Sequence, residues 1–368
     1  MTPPHTQQGD PPETDVSDEA DLWFLQGPIE EDAVQSKSGQ SVPGKRVPGP
    51  SVTGTSAPNP PARADEVETL TPWIRAEAQN AAKLGQAAAL LGALDDRLGR
   101  VPDGWRQRLA LLEAVEIGWL AGDRVGLDQL SLWLSLRLTR MQDDAQALAR
   151  TGWAVRRLTG QLRPVTYLIR FLGRSEASAE GDDRLSDRVE GWTAMMSAAS
   201  DLHPISRAAV GFNLWSLAGL GHQGDRLEAA VTAARFAASD SRGGAVFAPI
   251  ALGGGTGLRA YGPPSARMAQ WYDGLSNAVR AAMRHLDALE AWQNAATSAI
   301  APLSGRTPAR LLQVVAEWPV VSARMAEEAT GASRAAIPRN LTWMEDKGLL
   351  REVTGQGRFR YWAARLSP

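Results

Sequence analysis

Residues 307–362 alternate helical patterns with residues that end helices, and this spacing restricts the fold more than any other feature of the chain. Thr307-Pro308 is a typical helix start, because a hydroxyl N-cap precedes a proline in the first turn. Gly331 and Gly348 follow two further helical stretches, at positions where a helix commonly ends in a residue of positive φ. The predicted elements are helices over 307–318, Ser322 to Thr330 and Ser333 to about Lys347, then strands over 349–353 and 358–362 around a turn at 354–357.

The third of these helices has two different faces. Its predicted buried face consists of three apolar residues at helical spacing, namely Ile337, Leu341 and Met344. The opposite face then carries Ala335, Arg339 and Thr342. A small residue allows close approach to a double helix, and a guanidinium can donate two hydrogen bonds to a guanine. This outer face therefore predicts contact with DNA.

The hairpin and the net charge favour the same partner. Arg358 and Arg360 alternate with Phe359 and Tyr361, so we expect the arginines on one side of the strand and the rings as its anchors. Residues 302–368 contain ten Lys/Arg and six Asp/Glu, whereas the whole chain has a net charge of −2. Basic segments suit DNA, because neutralised phosphates supply most non-specific affinity. The residues expected to contact DNA are Ser333, Arg334, Ala335, Arg339, Thr342, Arg358 and Arg360.

Three helices followed by a basic hairpin predict a winged helix-turn-helix domain over residues 303–368, and a winged helix used for protein contacts is the alternative. Two residues depart from the common bacterial pattern. Glu327 stands four residues before Gly331, where a small buried residue is usual, so we expect a turn one residue longer. Pro338 falls in the second turn of the predicted third helix, where it removes a backbone hydrogen bond.

Composition narrows the class of protein. The chain of 368 residues has no cysteine, which excludes disulfides and thiolate metal sites and suits a reducing cytoplasm. No apolar run reaches the ~20 residues that a membrane-spanning helix needs. The first residues, MTPPHTQQGD, lack the features of a secretion signal. We therefore expect a bacterial cytoplasmic protein associated with the nucleoid.

Residues 1–66 predict a disordered arm, because eleven of the 23 prolines lie there among Ser, Gly and Thr. Between Asp10 and Asp32 the arm has nine acidic residues and no Lys or Arg. Trp23-Phe24-Leu25 interrupts this acidic run. We expect these three residues to dock on the protein's own body or on a partner, and a chance apolar cluster is the alternative.

Residues 67–302 are predicted to form two helical blocks, 67–174 and 175–302, joined by a linker at 175–183. Thr71-Pro72 predicts the start of an amphipathic helix that continues to about Leu98. Residues 127–138 fit both a strand and a helix face, and their helical neighbours favour a helix. The other helices expected cover 102–120, 143–159, 164–172, 187–200, 204–220, 224–238 and 266–300.

Two sequence features of the body, a glycine-rich stretch and the histidines, are candidates for nucleotide-binding and metal-binding sites. Gly253-Gly254-Gly255-Thr256-Gly257 is similar to a nucleotide-binding loop, but Pro249 interrupts the preceding strand pattern and Pro263-Pro264 prevents a helix directly after it. We therefore expect residues 241–264 to form a mobile surface loop. The histidines of the predicted folded part, His203, His222 and His285, have no metal-ligand spacing, so we expect neither a metal nor a cofactor.

His203-Pro204 resembles the start of the catalytic loop of Fic-type AMP-transferases. Arg207 stands where that family has a metal-binding acid, and Ala208-Ala209-Val210-Gly211 replaces the glycine-rich nest that holds phosphates. We therefore expect His203 to be a structural residue at a helix start, and the protein not to be an enzyme.

A wider resemblance rests on five stretches, Trp23 to Pro28, Thr71 to Glu77, Gly152 to Gly160, Asp201 to Leu220, and Asn340 to Met344 with Arg351 to Arg358. They resemble a bacterial family of helix-turn-helix DNA-binding-domain proteins, in which an all-helical domain of unknown function precedes a C-terminal winged helix. The resemblance implies DNA binding without naming a target or an effector.

Together these features predict an all-α protein, with a multi-helix body and a C-terminal winged helix-turn-helix that has a small β-hairpin wing. The expected function is sequence-specific transcriptional regulation as a homodimer on double-stranded DNA. The body would then supply dimerisation or effector sensing. The alternative is a catalytically inactive, Fic-like scaffold that binds protein and carries the winged helix as an accessory.

Overall fold

The computed structural model describes residues 64–136, 144–164, 167–173, 183–221, 226–354 and 360–366. Within them it has thirteen α-helices and one small antiparallel sheet, so the mostly helical class is confirmed. The helices of the body are α1 (Ala64–Gln79), α2 (Ala81–Leu98), α3 (Asp103–Ala121), α4 (Leu127–Leu136), α5 (Ala145–Thr159), α6 (Leu168–Leu172), α7 (Asp183–Ala198), α8 (Pro204–Leu214), α9 (Leu227–Ala237) and α10 (Pro264–Ile300). The remaining elements are α11 (Thr307–Glu317), β1 (Val321–Ser322), α12 (Ala323–Thr330), α13 (Ala336–Asp346), β2 (Leu350–Glu352) and β3 (Tyr361–Ala364).

The longest helix, α10, organises the packing of the body. It has 37 residues and is therefore about 55 Å long at 1.5 Å per residue. Apolar side chains recur on its buried side, namely Met268, Leu275, Val279, Leu286 and Leu289. α1, α2 and α11 pack against it. The helix predicted over 266–300 is confirmed, and it connects the body with the C-terminal elements.

The start of α1 differs from the sequence prediction. Thr71-Pro72 does not begin a helix, because α1 begins at Ala64 and Pro72 lies inside it. Leu70, before the proline, is buried together with Trp73 and Ala76 after it. This packing outweighs the backbone hydrogen bond that proline removes. The predicted continuous helix to Leu98 is also two helices, separated at Asn80.

The ambiguous segment 127–138 is helical, since α4 covers Leu127–Leu136. α1 begins at Ala64, inside the predicted arm. The rest of that arm with Trp23-Phe24-Leu25, and most of the predicted linker at 175–183, lie outside the described residues. Residues 58–368 form one compact unit, and the predicted boundaries within it stay predictions. Among the described helices, none combines the length and apolar character that a membrane span requires.

Residues 241–252, here called the strap, are largely buried, so the prediction of a mobile surface loop is wrong for them. Ala248, Ile250 and Ala251 are buried in the core. The physical reason is a carboxylate on α3. Glu113 is buried and accepts hydrogen bonds from the backbone N–H groups of Ile250, Ala251 and Leu252 at 2.7, 2.8 and 3.1 Å. These bonds satisfy backbone groups that would otherwise be unpaired in the interior.

A second carboxylate holds the beginning of the strap. Asp95, on α2, accepts hydrogen bonds from four consecutive backbone N–H groups, those of residues 242–245, at 2.8–2.9 Å. Burial alone would raise the pKa of Asp95, but these four bonds outweigh it and lower the pKa below its ordinary value. At Glu113 burial wins, and it raises the pKa to about 7 although three backbone bonds act in the opposite direction.

Residues 303–366, here called the C-terminal segment, contain the sheet and the last three helices. The strand order is β1-β3-β2, and both pairs are antiparallel. β1 was not predicted, because a two-residue strand has no periodicity to detect. The second hairpin strand lies three residues later than predicted, at Tyr361–Ala364, since Trp362, Ala363 and Ala364 are its buried residues. α11, α12 and α13 pack on one another next to this sheet.

Candidate nucleic-acid interface

A capping side chain and a glycine define the two ends of α12. Ser322 is the N-cap of α12, and its hydroxyl accepts a hydrogen bond from the N–H of Met325 at 3.1 Å. Gly331 ends α12 with φ 65°, a conformation that costs little for glycine. Residues 331–335 then separate α12 from α13. The chain therefore turns sharply between two helices that pack against each other.

The beginning of α13 differs from the sequence prediction. α13 begins at Ala336, and Ser333 contributes only its carbonyl oxygen, which accepts from the N–H groups of Ala336 and Ile337 at 2.9 and 3.3 Å. Ser333 therefore does not cap this helix with its side chain. Pro338 consequently lies in the first turn of α13 instead of the second. In a first turn no intrahelical hydrogen bond is lost, because that N–H has no partner within the helix.

The two faces of α13 separate as predicted. The three residues of the predicted buried face, Ile337, Leu341 and Met344, are each 0 % exposed. The residues predicted to contact DNA on α13 and the turn before it are all exposed, namely Ser333, Arg334, Ala335, Arg339 and Thr342. One side of α13 therefore packs into the core while the other presents basic and small side chains to solvent.

Two of these exposed side chains are cations without an acidic partner. Arg334 and Arg339 form no ion pair within the part of the chain that the structure describes. Arg324 on α12 contrasts with them, because its Nε donates to Glu328 Oε1 at 2.9 Å. An unpaired guanidinium keeps all its donors available for an acceptor outside the chain. Arg334 and Arg339 thus form the accessible positive charge at α13.

Arg360 has an intramolecular partner, which the alternation in the sequence does not reveal. Its Nη2 donates to Glu345 Oε2 on α13 at 2.7 Å, and Trp362 Nε1 donates to the same oxygen at 3.1 Å. The guanidinium also lies 5.0 Å from the centroid of the Trp362 ring. Arg360 therefore joins β3 to α13, and its contact with phosphate stays a prediction. Arg358 lies outside the described residues.

Sequence reasoning missed three further basic residues near the strands. Lys347, Arg351 and Arg365 are all exposed. The signal for Arg351 was available, because it follows buried Leu350 in a strand and neighbouring side chains in a strand point to opposite faces. Lys347 directly follows α13, Arg351 lies in β2, and Arg365 directly follows β3, which pairs with β2.

The C-terminal segment is fixed to the body through a buried arginine that sequence reasoning also missed. Arg108 on α3 donates from Nη1 to the carbonyl oxygens of Val315, Ala316 and Trp318, at 3.1, 3.4 and 3.0 Å. It thereby satisfies carbonyls at the end of α11, where a cation also complements the helix dipole. Its position three residues after buried Trp105 was a signal, because that spacing places it on the packed side of α3.

A histidine completes this contact. Arg108 Nε donates to His285 Nε2 on α10 at 3.0 Å. Burial, and then the charge of Arg108, lower the pKa of His285 to about 4, so its ring is neutral at pH 7 and accepts this bond. Trp292, further along α10, donates from Nε1 to the carbonyl of Leu349 at 2.7 Å. Buried polar bonds thus join the body to the end of α11 and to the residue before β2.

His203, the candidate catalytic base, is a structural residue at a helix start. It is the N-cap of α8, and its Nδ1 accepts a hydrogen bond from the N–H of Ile205 at 3.2 Å. Its own backbone N–H donates to Glu77 at 3.1 Å. Arg207 donates to the carbonyl of Met196 at 3.3 Å. Each of these contacts holds α8 in place, as the sequence analysis expected for His203.

The glycine-rich stretch also lacks the surroundings of a nucleotide loop. Within the described residues 226–354, no strand precedes Gly253 and no α-helix begins between Gly253 and Pro263, so the strand–loop–helix order is missing. Gly257 instead packs closely against Gly274 on α10. A Cβ added at Gly274 would lie 2.4 Å from the backbone N of Gly257. The described residues contain no cluster of three His, Cys, Asp or Glu side chains that could hold a metal ion.

No protein-family model matches the chain, and no curated protein was found that is similar to it. The resemblance to a helix-turn-helix family stays a prediction.

Proposed function

We propose that the C-terminal segment is a winged helix-turn-helix that binds duplex DNA, with α13 as its recognition helix. The observation that carries the proposal is the division of α13 into a fully buried apolar face and an exposed face with Arg339 and Thr342. A helix fits the major groove when one face is held by a core and the other presents donors. Arg334, in the turn directly before α13, adds a second exposed guanidinium.

Charge supports a nucleic-acid partner over a protein partner. Residues 302–368 carry four more basic than acidic residues, although the whole chain is net acidic. Arg334 and Arg339 have no acidic partner among the described residues, and Arg351 and Arg365 add exposed charge nearby. Binding to phosphates would neutralise this local excess. Arg360 acts in this proposal mainly as a positioning residue, because Glu345 already accepts its hydrogen bond.

The proposed biological role is regulation of transcription by a homodimer. Helix-turn-helix proteins commonly bind two half-sites one helical turn apart, so that a symmetric site requires two copies. Selection of bound sequences from a random duplex library tests this directly. A palindromic site supports the homodimer, and a site without symmetry contradicts it.

The proposal predicts salt-dependent binding of DNA by the full-length protein. If four or five phosphates are neutralised per protomer, log K should fall with log salt concentration with a slope on the order of −4. Fluorescence anisotropy of a labelled duplex, titrated with the protein at several salt concentrations, measures this slope. Absence of binding at low salt, or affinity indifferent to salt, would overturn the proposal and favour a protein-binding scaffold.

A further inference from the structure

A cleft lies where the body meets the C-terminal segment. Its volume is about 340 Å³, and its walls come from α3, the end of α5, the strap and the end of α11. Leu109 and Leu158 are apolar parts of the wall, and Phe247 and Trp318 add two aromatic rings. Gln107 and Thr159 add hydrogen-bonding groups. The volume lies in the range of small-molecule sites, and the walls combine apolar and polar groups.

The charges in the cleft leave one acid without a counter-charge. Asp103 and Arg106, both on α3, pair with each other. Glu317, the last residue of α11, forms no ion pair within the described ranges. The side chain of Glu317 lies against Gly104, since a Cβ added at Gly104 would lie 2.8 Å from Glu317 Cγ. Gly104 thus lets the Glu317 side chain lie along the wall, and burial raises the pKa of its carboxyl above the ordinary value.

We propose that this cleft binds a small organic cation with an apolar body, such as an arylalkylammonium, through Glu317 and the rings of Phe247 and Trp318. A carboxylate gives an ammonium group its counter-charge, and aromatic faces attract cations when water is excluded. An anionic ligand would meet the uncompensated Glu317. A neutral ligand would leave that carboxylate half-buried and unpaired, which costs free energy.

The position of the cleft connects ligand binding to α13. Glu317 and Trp318 end α11, and the carbonyl of Trp318 accepts a bond from Arg108 of the body. β1 follows three residues later, and α11 packs against both α12 and α13. A ligand that contacts α3 and Glu317 together therefore acts on the junction that orients α13. This regulatory part rests on the proposed DNA-binding function, whereas binding of the cation does not.

Calorimetry on the full-length protein tests the site with three probes of similar shape, which are phenethylamine, 2-phenylethanol and 3-phenylpropanoate. We expect the amine to bind about tenfold or more tightly than the alcohol, and the carboxylate most weakly. No detectable binding of the amine at millimolar concentration, or equal binding of all three probes, would overturn the proposal.

Two variants locate the bound amine. Glu317→Gln should weaken phenethylamine binding about tenfold, whereas Glu116→Gln, an exposed acid on α3, should leave it unchanged. Val246→Trp is a second test variant, which leaves Glu317 unchanged. Val246 lines the cleft and is 36 % exposed, so a larger ring there fills the cleft without entering the core. Tight binding of the amine to either cleft variant would place it elsewhere and contradict the site.

The DNA affinity of the full-length protein, measured with and without phenethylamine, separates the two proposals. A change in DNA affinity that disappears in Glu317→Gln supports the regulatory coupling. Amine binding without any effect on measurable DNA binding removes the coupling and keeps the site. Amine binding by a protein that binds no DNA overturns the proposed function alone.

Discussion

Arg339 and Arg324 are both exposed arginines of the C-terminal segment, but they differ in what their guanidinium groups contact. Arg324 pairs with Glu328, and Arg339 has no acidic partner among the described residues. If Arg339 contacts a base edge, Arg339→Ala should cost about 1–3 kcal/mol on the selected DNA site. Affinity for random duplex should change much less. Titrations of both duplexes measure the difference.

Arg324→Ala is the matched control for Arg339→Ala, since it removes the same group from a neighbouring helix. It should weaken the selected and random duplexes alike or affect neither. Equal losses on both duplexes for Arg339→Ala would contradict base reading and leave Arg339 as a phosphate contact.

The second prediction for a single residue concerns the contribution of Glu113 to the free energy of unfolding. Burial raises its pKa to about 7, whereas an unfolded chain keeps it near 4.5. Between these values the folded state binds the proton more tightly, so stability contributed by Glu113 is fully present below pH 4.5 and is lost as pH rises to 7. The loss is on the order of 3 kcal/mol. Urea denaturation across this range measures it.

The Glu113→Gln variant isolates this effect from the other carboxylates. It carries a constant cost, because an amide cannot accept all three backbone bonds of the strap. The wild type should therefore lose stability relative to the variant as pH rises from 4.5 to 7. Asp95→Asn should show the opposite sign at lower pH, because the pKa of Asp95 is lowered. A pH-independent difference between wild type and Glu113→Gln would refute the titration of Glu113.

At the scale of elements, Arg108 joins α3 to the end of α11. Arg108→Met keeps an unbranched side chain but removes the guanidinium that donates to the carbonyls of Val315, Ala316 and Trp318. Buried acceptors without a donor should cost about 1–3 kcal/mol of unfolding free energy. Hydrogen exchange should also increase at the end of α11 and in β1. Arg284→Met, an exposed change on α10, is the control. Unchanged exchange at α11 and β1 would show that Arg108 does not hold this junction.

Elements with a local apolar repeat could be predicted, and elements fixed by distant partners could not. α10 and the buried face of α13 repeat apolar residues at helical spacing, so their sequence contains the packing information. The strap has no such repeat. Its burial depends on Glu113, which lies 137 residues before Ile250. The position of Pro72 inside α1 depends likewise on packing of Leu70 that no local rule reports.

The candidate interface follows the same division. Exposure of Arg339 and Thr342 could be predicted, because both lie on the side of α13 opposite its buried face. The partner of Arg360 could not, since Glu345 belongs to another element. The predicted start of α13 was wrong, although the local sequence contained the information needed to place it. Pro338 is tolerated in a first turn, so its presence favoured a helix beginning at Ala336.

At the scale of the whole molecule, acidic and basic charge are unevenly distributed. The chain has a net charge of −2, yet residues 302–368 alone contribute +4. Arg108, His285 and Trp292 join that basic segment to the body through buried hydrogen bonds. These buried bonds connect the position of the C-terminal segment, which contains α13, to that of the body. The proposed coupling between the cleft and α13 requires a connection of this kind, because two sites affect each other only through a contact that differs between two states.

The last prediction concerns whether the body is catalytic. Nucleotidyl transfer requires donors for a triphosphate, a metal-binding carboxylate and a free base in one cleft. The Nδ1 atom of His203 already accepts a hydrogen bond from the N–H of Ile205, and in the resemblance predicted from the sequence Arg207 takes the place of the metal-binding acid. The purified protein should therefore transfer no labelled AMP from ATP to itself or to added proteins. His203→Ala should lower stability by about 1 kcal/mol through loss of the helix cap, and leave DNA affinity unchanged. A labelled adduct that forms with the wild type and disappears in His203→Ala would make the protein an enzyme.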